Sequence, residues 1–439
     1  MERPTTAAAV EPSRRGFMKA GSAALMAGAV AGELSLARSA HAAGDDTIRV
    51  GLIGCGGRGT GAAAQALRAD GHTKLVSMGD LFPDALERSL GFILREKELA
   101  PRIDVPTERR FTGWNAYQQV IDSGVDIVLL AAPPHFRPQH LQAAIEAGKH
   151  VFAEKPVAVD APGYHKVLAA AKQAKEKNLA LCSGLCWRYE NFARASMQQL
   201  REGAVGDIIA IEANYNSTPP GKAWPMVREA NWSDMEYQLR NWYWFTWLSG
   251  DHIVEQAVHS LDKASWALND EAPLACVGLG GLAARKADDP GQIFDHHAVT
   301  YDYPNGVKVY FDCRQQSGCA RDVSVKVYGT KGICEIEKGT ITSRSGESLW
   351  RYRGPKNVMH QTEHDELFAG LRSGKFVNDG PFMAHSTMLT IMGRMATYTG
   401  QRVTWDKALS SHEDLTPPEY AWGAAPKCEI AVPGVTPLV

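Results

Sequence analysis

A glycine-rich stretch near the start of the chain constrains its fold more than any other part of the sequence. An apolar run from Ile48 to Ile53 predicts a buried strand, and an alanine-rich run after it predicts a helix. Between them, Gly54, Gly56 and Gly59 follow the pattern G-x-G-x-x-G. In a strand–turn–helix unit, these glycines permit a tight turn, close approach to a pyrophosphate and close helix packing. The stretch therefore predicts a dinucleotide-binding unit.

The next apolar run ends in the acid that such a unit uses. Asp80 ends the run that begins at Lys74, about 20 residues after the last glycine, where a carboxylate accepts hydrogen bonds from the adenosine ribose of NAD. Leu81 and Phe82 follow it, so no arginine is placed to bind a ribose 2′-phosphate. The sequence therefore favours NAD over NADP as the cofactor.

Length, charge and cysteine content narrow the class of protein. With 439 residues the chain can bury two cores, which predicts two domains. The net charge is −2 and the basic residues form no run, which argues against nucleic acid as a partner. The eight cysteines show no zinc-binding spacing, and we expect buried free thiols rather than disulfides.

Residues 1–43 have the sequence pattern of an export signal. The twin-arginine sequence SRRGFMK begins at Ser13, and the apolar stretch from Ala20 to Gly32 is too short to span a bilayer. Small residues at Ala40 and Ala42 then offer a cleavage site. We expect twin-arginine export to the periplasm or another extracytoplasmic compartment, with no membrane anchor after cleavage.

Residues 44–188 alternate between predicted strands and helices. After Asp80, the further strands are Val125–Ala132, His150–Ala153 and Ala180–Leu185, and helices lie between them. This alternation predicts an α/β fold with a parallel, doubly wound sheet. The segment is therefore expected to be a Rossmann NAD-binding domain.

Residues 189–439 show a different pattern, typical of an α+β domain with a large, mostly antiparallel open sheet. Turn sequences at 303–306 and 329–332 join neighbouring strands as hairpins. One long helix is predicted over Val254–Ala267, and another over Met383–Tyr398 is placed to pack back towards the first domain. The predicted strands are Ile208–Asn216, Leu274–Leu279, His297–Asp302, Val307–Gln315, Val323–Tyr328, Ile333–Glu337 and Thr340–Ser343.

Two further motifs indicate a family. AGKHVFAEKP (Ala147–Pro156) and GDHIVEQAVHSLD (Gly250–Asp262), together with the glycine loop and Asp80, resemble the glucose–fructose oxidoreductase and inositol dehydrogenase family. The resemblance covers essentially the whole mature chain. It implies hydride transfer between a sugar or polyol and NAD(P). It also implies a substrate domain whose open sheet supports a homo-oligomer, either a dimer or a tetramer.

Three residues of these motifs form the predicted catalytic group. The resemblance places Lys155 in the active site, where a cation stabilises negative charge on the reacting oxygen. Glu255 and His259 are four residues apart on a predicted helix and share a face. The imidazole suits acceptance of the hydroxyl proton, and the carboxylate orients it or binds substrate. The family has an aspartate where Glu255 stands, so the longer side chain changes the reach of the carboxylate.

Further contacts are predicted around this group. His135 fits a structural role in its loop as well as a cofactor contact, and Tyr189 fits a domain interface as well as a substrate contact. His252, Glu255 and His259 lack the spacing of a metal-binding helix motif, so no metal is predicted. The predicted cofactor contacts are Gly54, Gly56, Gly59, Arg58, Asp80, Pro134, His135 and Glu154, and the predicted substrate contacts are Tyr189, Trp244 and Arg240.

Two enzymatic functions remain open. The first is an exported NAD-dependent oxidoreductase that acts on a sugar or polyol. The second is a redox-neutral glycosidase that oxidises a sugar, eliminates an aglycone and reduces the product again, with Glu255 or Tyr189 as the extra acid or base. A sugar-binding protein with a relic nucleotide site is disfavoured, because Lys155 and His259 are intact.

The export signal predicts a loss of translocation when both arginines are changed. Replacing Arg14 and Arg15 by lysine should leave folded protein in the cytoplasm, because the pathway recognises the arginine pair. Cell fractionation of both forms measures this. Unchanged arrival of the double variant in the periplasm would show that another pathway carries the protein.

Overall fold

The computed structural model describes residues 46–221, 225–285 and 291–439. Its compact body runs from Ile48 to Val439. The export signal predicted for residues 1–43 lies outside the described residues and stays a prediction. None of the helices among the described residues is long and apolar enough to cross a membrane.

The first sheet is parallel and doubly wound, as predicted. Its strands in the described residues are β1 (Ile48–Ile53), β2 (Thr73–Asp80), β3 (Arg110–Thr112), β4 (Ile127–Leu130), β5 (His150–Ala153) and β6 (Leu181–Ser183). Their spatial order is β3-β2-β1-β4-β5-β6, and every neighbouring pair is parallel. The connecting helices are α1 (Gly57–Ala69), α2 (Pro83–Leu94), α3 (Ala116–Asp122), α4 (Arg137–Glu146) and α5 (Ala161–Glu176).

Strand β4 shows why this sheet forms. All four of its residues are buried. Ile127 and Leu129 belong to one hydrophobic core, and Val128 and Leu130 belong to another. Successive side chains of a strand point to opposite faces, so a continuous apolar run is stable where both faces are covered. The helices on the two faces of the sheet provide that cover.

The second sheet is larger and mostly antiparallel, which confirms the predicted architecture. Its strands in the described residues are β7 (Ile208–Ser217), β8 (Ala275–Gly281), β9 (His296–Asp302), β10 (Lys308–Gln315), β11 (Asp322–Gly329), β12 (Gly332–Glu335), β13 (Thr340–Ser343), β14 (Ser348–Arg351) and β15 (Val403–Thr404). Their order is β14-β13-β12-β11-β7-β10-β9-β8-β15. Only β7 and β10 are parallel neighbours in this part of the chain. Both predicted hairpins are present, whereas the short strands β3, β14 and β15 give no clear sequence signal.

Strand β10 shows that the second sheet is covered on one face. Val309, Phe311 and Cys313 are buried, whereas Lys308 and Tyr310, on the opposite face of the strand, are exposed. This alternation is typical of an antiparallel sheet with one face against a core. The other face remains open in the single chain.

Helices pack around the second sheet and join it to the first. They are α6 (Asn191–Arg201), α7 (Asp234–Arg240), α8 (Thr246–Ser249), α9 (His252–Glu255), α10 (Val258–Ala267), α11 (Met359–Ser373), α12 (Gly380–Thr399) and α13 (Trp405–Leu409). α12 is buried nearly all round and contacts both α5 and β8. A helix that is apolar on all sides is typical of a core position. The predicted helix over Met383–Tyr398 therefore joins the two sheets, as expected.

The predicted continuous helix over Val254–Ala267 is wrong near its start. It is divided into α9 and α10, with Gln256 and Ala257 between them. The carbonyl oxygen of Glu255 accepts a hydrogen bond from Lys155 Nζ at 2.5 Å. The N–H of His259, which would bind that carbonyl in a continuous helix, instead lies 3.5 Å from the Gln256 carbonyl. A tertiary contact thus accompanies a break that sequence periodicity cannot show.

Helix α11 is not indicated by the sequence pattern. Its buried positions carry Glu363 and His364 as well as apolar residues, which weakens the apolar period that identifies a helix. α11 packs on α1, and the side chain of Gln361 donates to the carbonyl of Gln65 at 3.1 Å. An unpredicted helix therefore lies beside the glycine loop.

Candidate functional site

A cavity of about 470 Å³ opens at the carboxyl ends of β1, β2 and β4. This is the edge where doubly wound sheets bind ligands. Gly56 and Gly57 line the cavity, and a Cβ atom on either would meet no protein atom within 4 Å. Because α1 begins at Gly57 without a side-chain cap, its first N–H groups remain available to an anion. The cavity fits a dinucleotide with its pyrophosphate at the start of α1.

Two other glycines hold the loop close to the sheet. Gly54 has a φ of +93°, and a Cβ atom there would lie 2.3 Å from the backbone nitrogen of Ala132. A Cβ atom on Gly59 would lie 1.9 Å from the carbonyl oxygen of Gly54. These contacts leave no room for a side chain, as the motif requires.

Asp80 lines the cavity and ties the glycine loop to the end of β2. Its carboxylate accepts hydrogen bonds from the N–H of Cys55 at 2.6 Å and the N–H of Phe82 at 2.9 Å. Burial raises the pKa of Asp80, and the two backbone donors offset part of this effect. The acid therefore lies where the sequence places it, and a carboxylate has further lone pairs for a ribose hydroxyl.

Arg58 and Glu154 form an ion pair across the same edge. Arg58 lies in the first turn of α1 and lines the cavity, while Glu154 follows β5. Arg58 Nε is 2.9 Å from Glu154 Oε1, and the glutamate side chain is only 4% exposed. The pair connects the nucleotide loop to the segment that carries Lys155.

The turn after β4 lies partly at the cavity. Pro133 and Phe136 line it, whereas His135 Nε2 lies 2.8 Å from the hydroxyl of Tyr420. Burial lowers the pKa of His135 to about 4, so this imidazole is neutral at pH 7. The predicted contacts Pro134 and His135 both lie in this buried turn. His135 itself anchors the C-terminal part of the chain.

Lys155 and Glu255 form the centre of the predicted catalytic group. Lys155 Nζ is 2.7 Å from Glu255 Oε1, in addition to its contact with the Glu255 carbonyl. The two side chains are 14% and 12% exposed. The longer glutamate side chain thus reaches the lysine directly, and its carboxylate balances the ammonium charge.

His259 faces the same ammonium group from the start of α10. Burial and the nearby cations Lys155 and Lys263 hold the pKa of His259 well below its usual value, and His360 adds to the effect. Its Nδ1 is buried and has no hydrogen-bond partner among the described residues. The side chain is therefore a neutral imidazole at pH 7, which suits acceptance of a proton.

Helix α11 adds two residues that sequence reasoning missed. The His360 side chain is 36% exposed, and its Nδ1 lies 3.5 Å from Oε1 of the buried Glu363. Burial and the charges of Arg58 and Lys155 lower the pKa of His360 to about 4. Burial and the charge of Glu154 raise the pKa of Glu363. The only sequence signal was their spacing of three residues, which places them on one helix face.

The predicted substrate residues do not gather at this group. The Tyr189 hydroxyl donates to buried Asp379 at 2.8 Å, so it is engaged elsewhere. Trp244 is buried in a separate aromatic core. Arg240 lines the dinucleotide cavity, with its guanidinium 4.0 Å from the centre of the Phe82 ring. Residue type alone suggested sugar contacts, but packing assigns these side chains to other surroundings.

A buried cluster beside α9 fixes the position of Glu255. Asp251, His252 and His297 offer ligand atoms within 4.8 Å of one another. Both Asp251 oxygens accept protein hydrogen bonds: from His297 Nε2 at 3.1 Å, from the Tyr398 hydroxyl at 2.5 Å and from the Phe294 N–H at 2.9 Å. The cluster therefore serves as a hydrogen-bond network that orients the first turn of α9.

Two family models match successive parts of the chain. Residues 48–181 match the model described as an oxidoreductase family with an NAD-binding Rossmann fold, and residues 194–335 match the GFO/IDH/MocA C-terminal domain. The chain belongs to the GFO/IDH/MocA oxidoreductase family. The family indicated by the sequence motifs is thus confirmed, and the chain is an NAD-binding oxidoreductase of a family that acts on sugars and polyols.

Individual relatives are distant. The chain is 22% identical to inositol 2-dehydrogenase of Rhizobium meliloti (strain 1021) over 328 residues, which cover 74% of this chain and 86% of that protein. It is 25% identical to a glycosyl hydrolase family 109 protein of Shewanella pealeana (strain ATCC 700345 / ANG-SQ1) over 278 residues, or 60% of this chain and 54% of that protein. The crystal structure of the WlbA dehydrogenase from Bordetella pertussis with NADH and UDP-GlcNAcA shares the fold. Its TM-score is 0.62 at 19% identity, covering 82% of this chain and 98% of that one.

The same substitution at two loop glycines should have different effects. Gly56 has a φ of −71°, which any residue adopts, and its added methyl group would enter the cavity. Gly56→Ala should therefore lower bound nucleotide by about tenfold or more without changing stability. Gly59→Ala forces a methyl group against the Gly54 carbonyl and should cost about 1–3 kcal/mol of unfolding free energy. Nucleotide content and chemical denaturation measure the two effects; full nucleotide content in Gly56→Ala would contradict the assigned site.

Proposed function

We propose that this chain is an exported, NAD-dependent oxidoreductase that acts on a sugar or polyol. The observation that carries the proposal is that Lys155, Glu255 and His259 lie close together. Lys155 follows β5, at the edge of the sheet where the dinucleotide cavity opens. A cation and a neutral imidazole are the two groups that alcohol oxidation needs from a protein. The similarity to an inositol 2-dehydrogenase supports a polyol or sugar as the substrate class.

Lys155 is suited to bind the reacting oxygen. Its ammonium group has three donors, and in the described residues two of them contact Glu255. One donor therefore remains for a substrate hydroxyl. Bound NAD would accept a hydride from the substrate carbon. Lys155 stabilises the negative charge that develops on the substrate oxygen, and Glu255 holds the ammonium group in place.

His259 takes the hydroxyl proton in this proposal. The imidazole is neutral because burial and the neighbouring cations disfavour its protonated form. Lys155 and His259 are thus proposed as catalytic residues, and Glu255 as the group that positions Lys155.

The cofactor proposed is NAD that remains bound through each turnover. Asp80 would repel a ribose 2′-phosphate, which disfavours NADP. Gly54, Gly56, Gly59 and Arg58 surround the expected pyrophosphate position. Export would take the enzyme away from the cytoplasmic NAD pool, so the same nucleotide must be reused.

A homo-oligomer formed through the open face of the second sheet is also proposed. Leu279 is 77% exposed and Tyr310 is 50% exposed on this sheet. Large exposed apolar side chains on one face are typical of a protein interface. A sedimentation mass equal to that of a single mature chain would contradict this proposal.

The unpredicted His360 favours one second candidate, a redox-neutral glycosidase. Such an enzyme must remove a proton from the carbon beside the transient ketone before the bond to the aglycone breaks. His360 is neutral, partly exposed and close to Lys155, so it could take this proton. Water then adds, the proton returns and the ketone is reduced, which makes the net reaction hydrolysis. The similarity to a glycosyl hydrolase family 109 protein supports this alternative.

The lowered pKa of His259 predicts an unusual pH profile. Oxidation needs the neutral imidazole, which persists below the usual histidine pKa of about 6.5. We expect kcat/KM for oxidation to stay level as pH falls through that value and to decline only at lower pH. Lys155→Met should reduce turnover by about a hundredfold or more. The substitution should also move the acid limb of the profile, the decline of kcat/KM at low pH, to higher pH. The reason is that it removes a cation that disfavours protonation of His259.

Lys172→Met provides the matched control for this experiment, since Lys172 is 80% exposed on α5 and should leave the profile unchanged. His259→Ala should lower turnover by a similar factor of about a hundred while bound nucleotide is retained. A wild-type acid limb at or above the usual histidine value would show that His259 is not the proton acceptor.

The choice between net oxidation and redox-neutral hydrolysis can be measured directly. Purified enzyme without added nucleotide is mixed with a panel of sugars and nitrophenyl glycosides. The first proposal predicts that the absorbance of reduced nicotinamide appears. It also predicts that this absorbance disappears when an added keto sugar reoxidises the bound nucleotide. Steady nitrophenol release without net reduction would favour the second candidate, and His360→Gln should then block release but leave the initial reduction intact.

The identity of the bound nucleotide tests the cofactor assignment. Nucleotide released from the purified protein by acid should be NAD, and predominant NADP would contradict the cofactor assignment.

A further inference from the structure

Residues 413–428, here called the C-terminal strap, form neither a helix nor a strand. The start of the strap is anchored firmly. Glu413 pairs with the buried Arg394, and the N–H of Leu415 donates to Asp160 Oδ2 at 3.0 Å. Asp160 also caps the first turn of α5. Because the strap has no regular backbone pairing, its position depends on such individual contacts.

The middle of the strap packs on one wall of the dinucleotide cavity. The Trp422 ring lies 5.3 Å from Trp114 and 5.9 Å from Phe82, measured between ring centres. The Tyr420 ring lies 5.7 Å from Trp114, and its hydroxyl binds His135 at 2.8 Å. Phe82 and Trp114 line the cavity themselves. The strap is therefore an outer layer that holds these two rings in place.

The end of the strap holds the opposite wall. The carbonyl of Gly423 accepts a hydrogen bond from the N–H of Met235 at 3.0 Å. The carbonyl of Pro426 accepts one from Gln238 Nε2 at 2.9 Å. Both donors belong to α7, and the last two residues of that helix, Leu239 and Arg240, line the cavity. One continuous segment thus links two walls that come from different parts of the chain.

The two walls also meet over the adenosine end of the cavity. Arg240 stacks on the Phe82 ring and pairs with Asp84 at 3.2 Å. Phe82, Asp84 and Arg240 line the cavity together with Asp80, the residue that would hold the adenosine ribose. The strap contacts both walls from outside the cleft.

We infer that the C-terminal strap closes the adenosine end of the cleft and makes the dinucleotide a resident group that leaves only when the strap detaches. This inference rests on the proposed function, because it assigns the strap to retention of the proposed NAD. Tyr420 and Trp422 are the residues that set the rate of release. The strap thereby supplies, within one chain, the retention that an exported enzyme needs.

The rate of nucleotide release tests the inference. Protein loaded with reduced nicotinamide nucleotide is mixed with excess NAD, and loss of the bound nucleotide's fluorescence gives the dissociation rate. Trp422→Ala should raise this rate by about tenfold or more, since it removes both ring contacts. Tyr420→Phe keeps the ring and removes one hydroxyl, so it should fold normally and raise the rate roughly threefold. Glu419→Ala, at an exposed position of the strap, is the control and should release nucleotide at the wild-type rate.

The outcomes separate the strap from the proposed function. Wild-type release rates in both Trp422→Ala and Tyr420→Phe would contradict the inference that the strap retains the nucleotide. Loss of nucleotide in Gly56→Ala would at the same time support the assigned cofactor site. Wild-type protein that neither carries nor binds NAD or NADH would contradict the proposed function, and the inferred role of the strap as well. Faster release in the two aromatic variants, with unchanged release in Glu419→Ala, establishes the strap as the element that retains the cofactor.

Discussion

The ammonium group of Lys155 binds Glu255 twice, once at its carboxylate and once at its main-chain carbonyl. Lys155 follows a strand of the parallel sheet, whereas Glu255 ends α9 beside the second sheet. The contact at the carbonyl coincides with the break between α9 and α10. It therefore connects the orientation of His259 to the position of Lys155. Loss of either charge would leave its partner mostly buried without compensation, which is strongly destabilising.

The dinucleotide cavity depends on a similar union of distant segments. The glycine loop and Asp80 form the side expected of any Rossmann domain. The opposite side comes from α7, and the C-terminal strap covers the outside. Arg240 completes the wall by stacking on Phe82. A cavity built in this way has walls that the Rossmann domain alone does not supply.

Local patterns predicted the elements whose signals lie within a few neighbouring residues. Most strands of the two sheets follow from apolar runs and alternation, and the glycine loop follows from the space that a pyrophosphate requires. The patterns failed where burial involves polar side chains. α11 was obscured by Glu363 and His364, and the break after Glu255 coincides with a contact from Lys155, a hundred residues away along the chain.

The roles of individual side chains also fall into two groups, those that the sequence predicted and those that required the tertiary structure. The sequence by itself determined the Rossmann sheet and the position of Asp80, because each follows from a motif with a fixed local geometry. The prediction that Lys155 and His259 share one site came from the family resemblance. Only the tertiary structure decided that Tyr189 points to Asp379, that Arg240 lines the dinucleotide cavity and that His360 joins Lys155. The physical reason is that a side chain's charge state and contacts depend on what packs against it, and those neighbours come from segments that sequence spacing does not bring together.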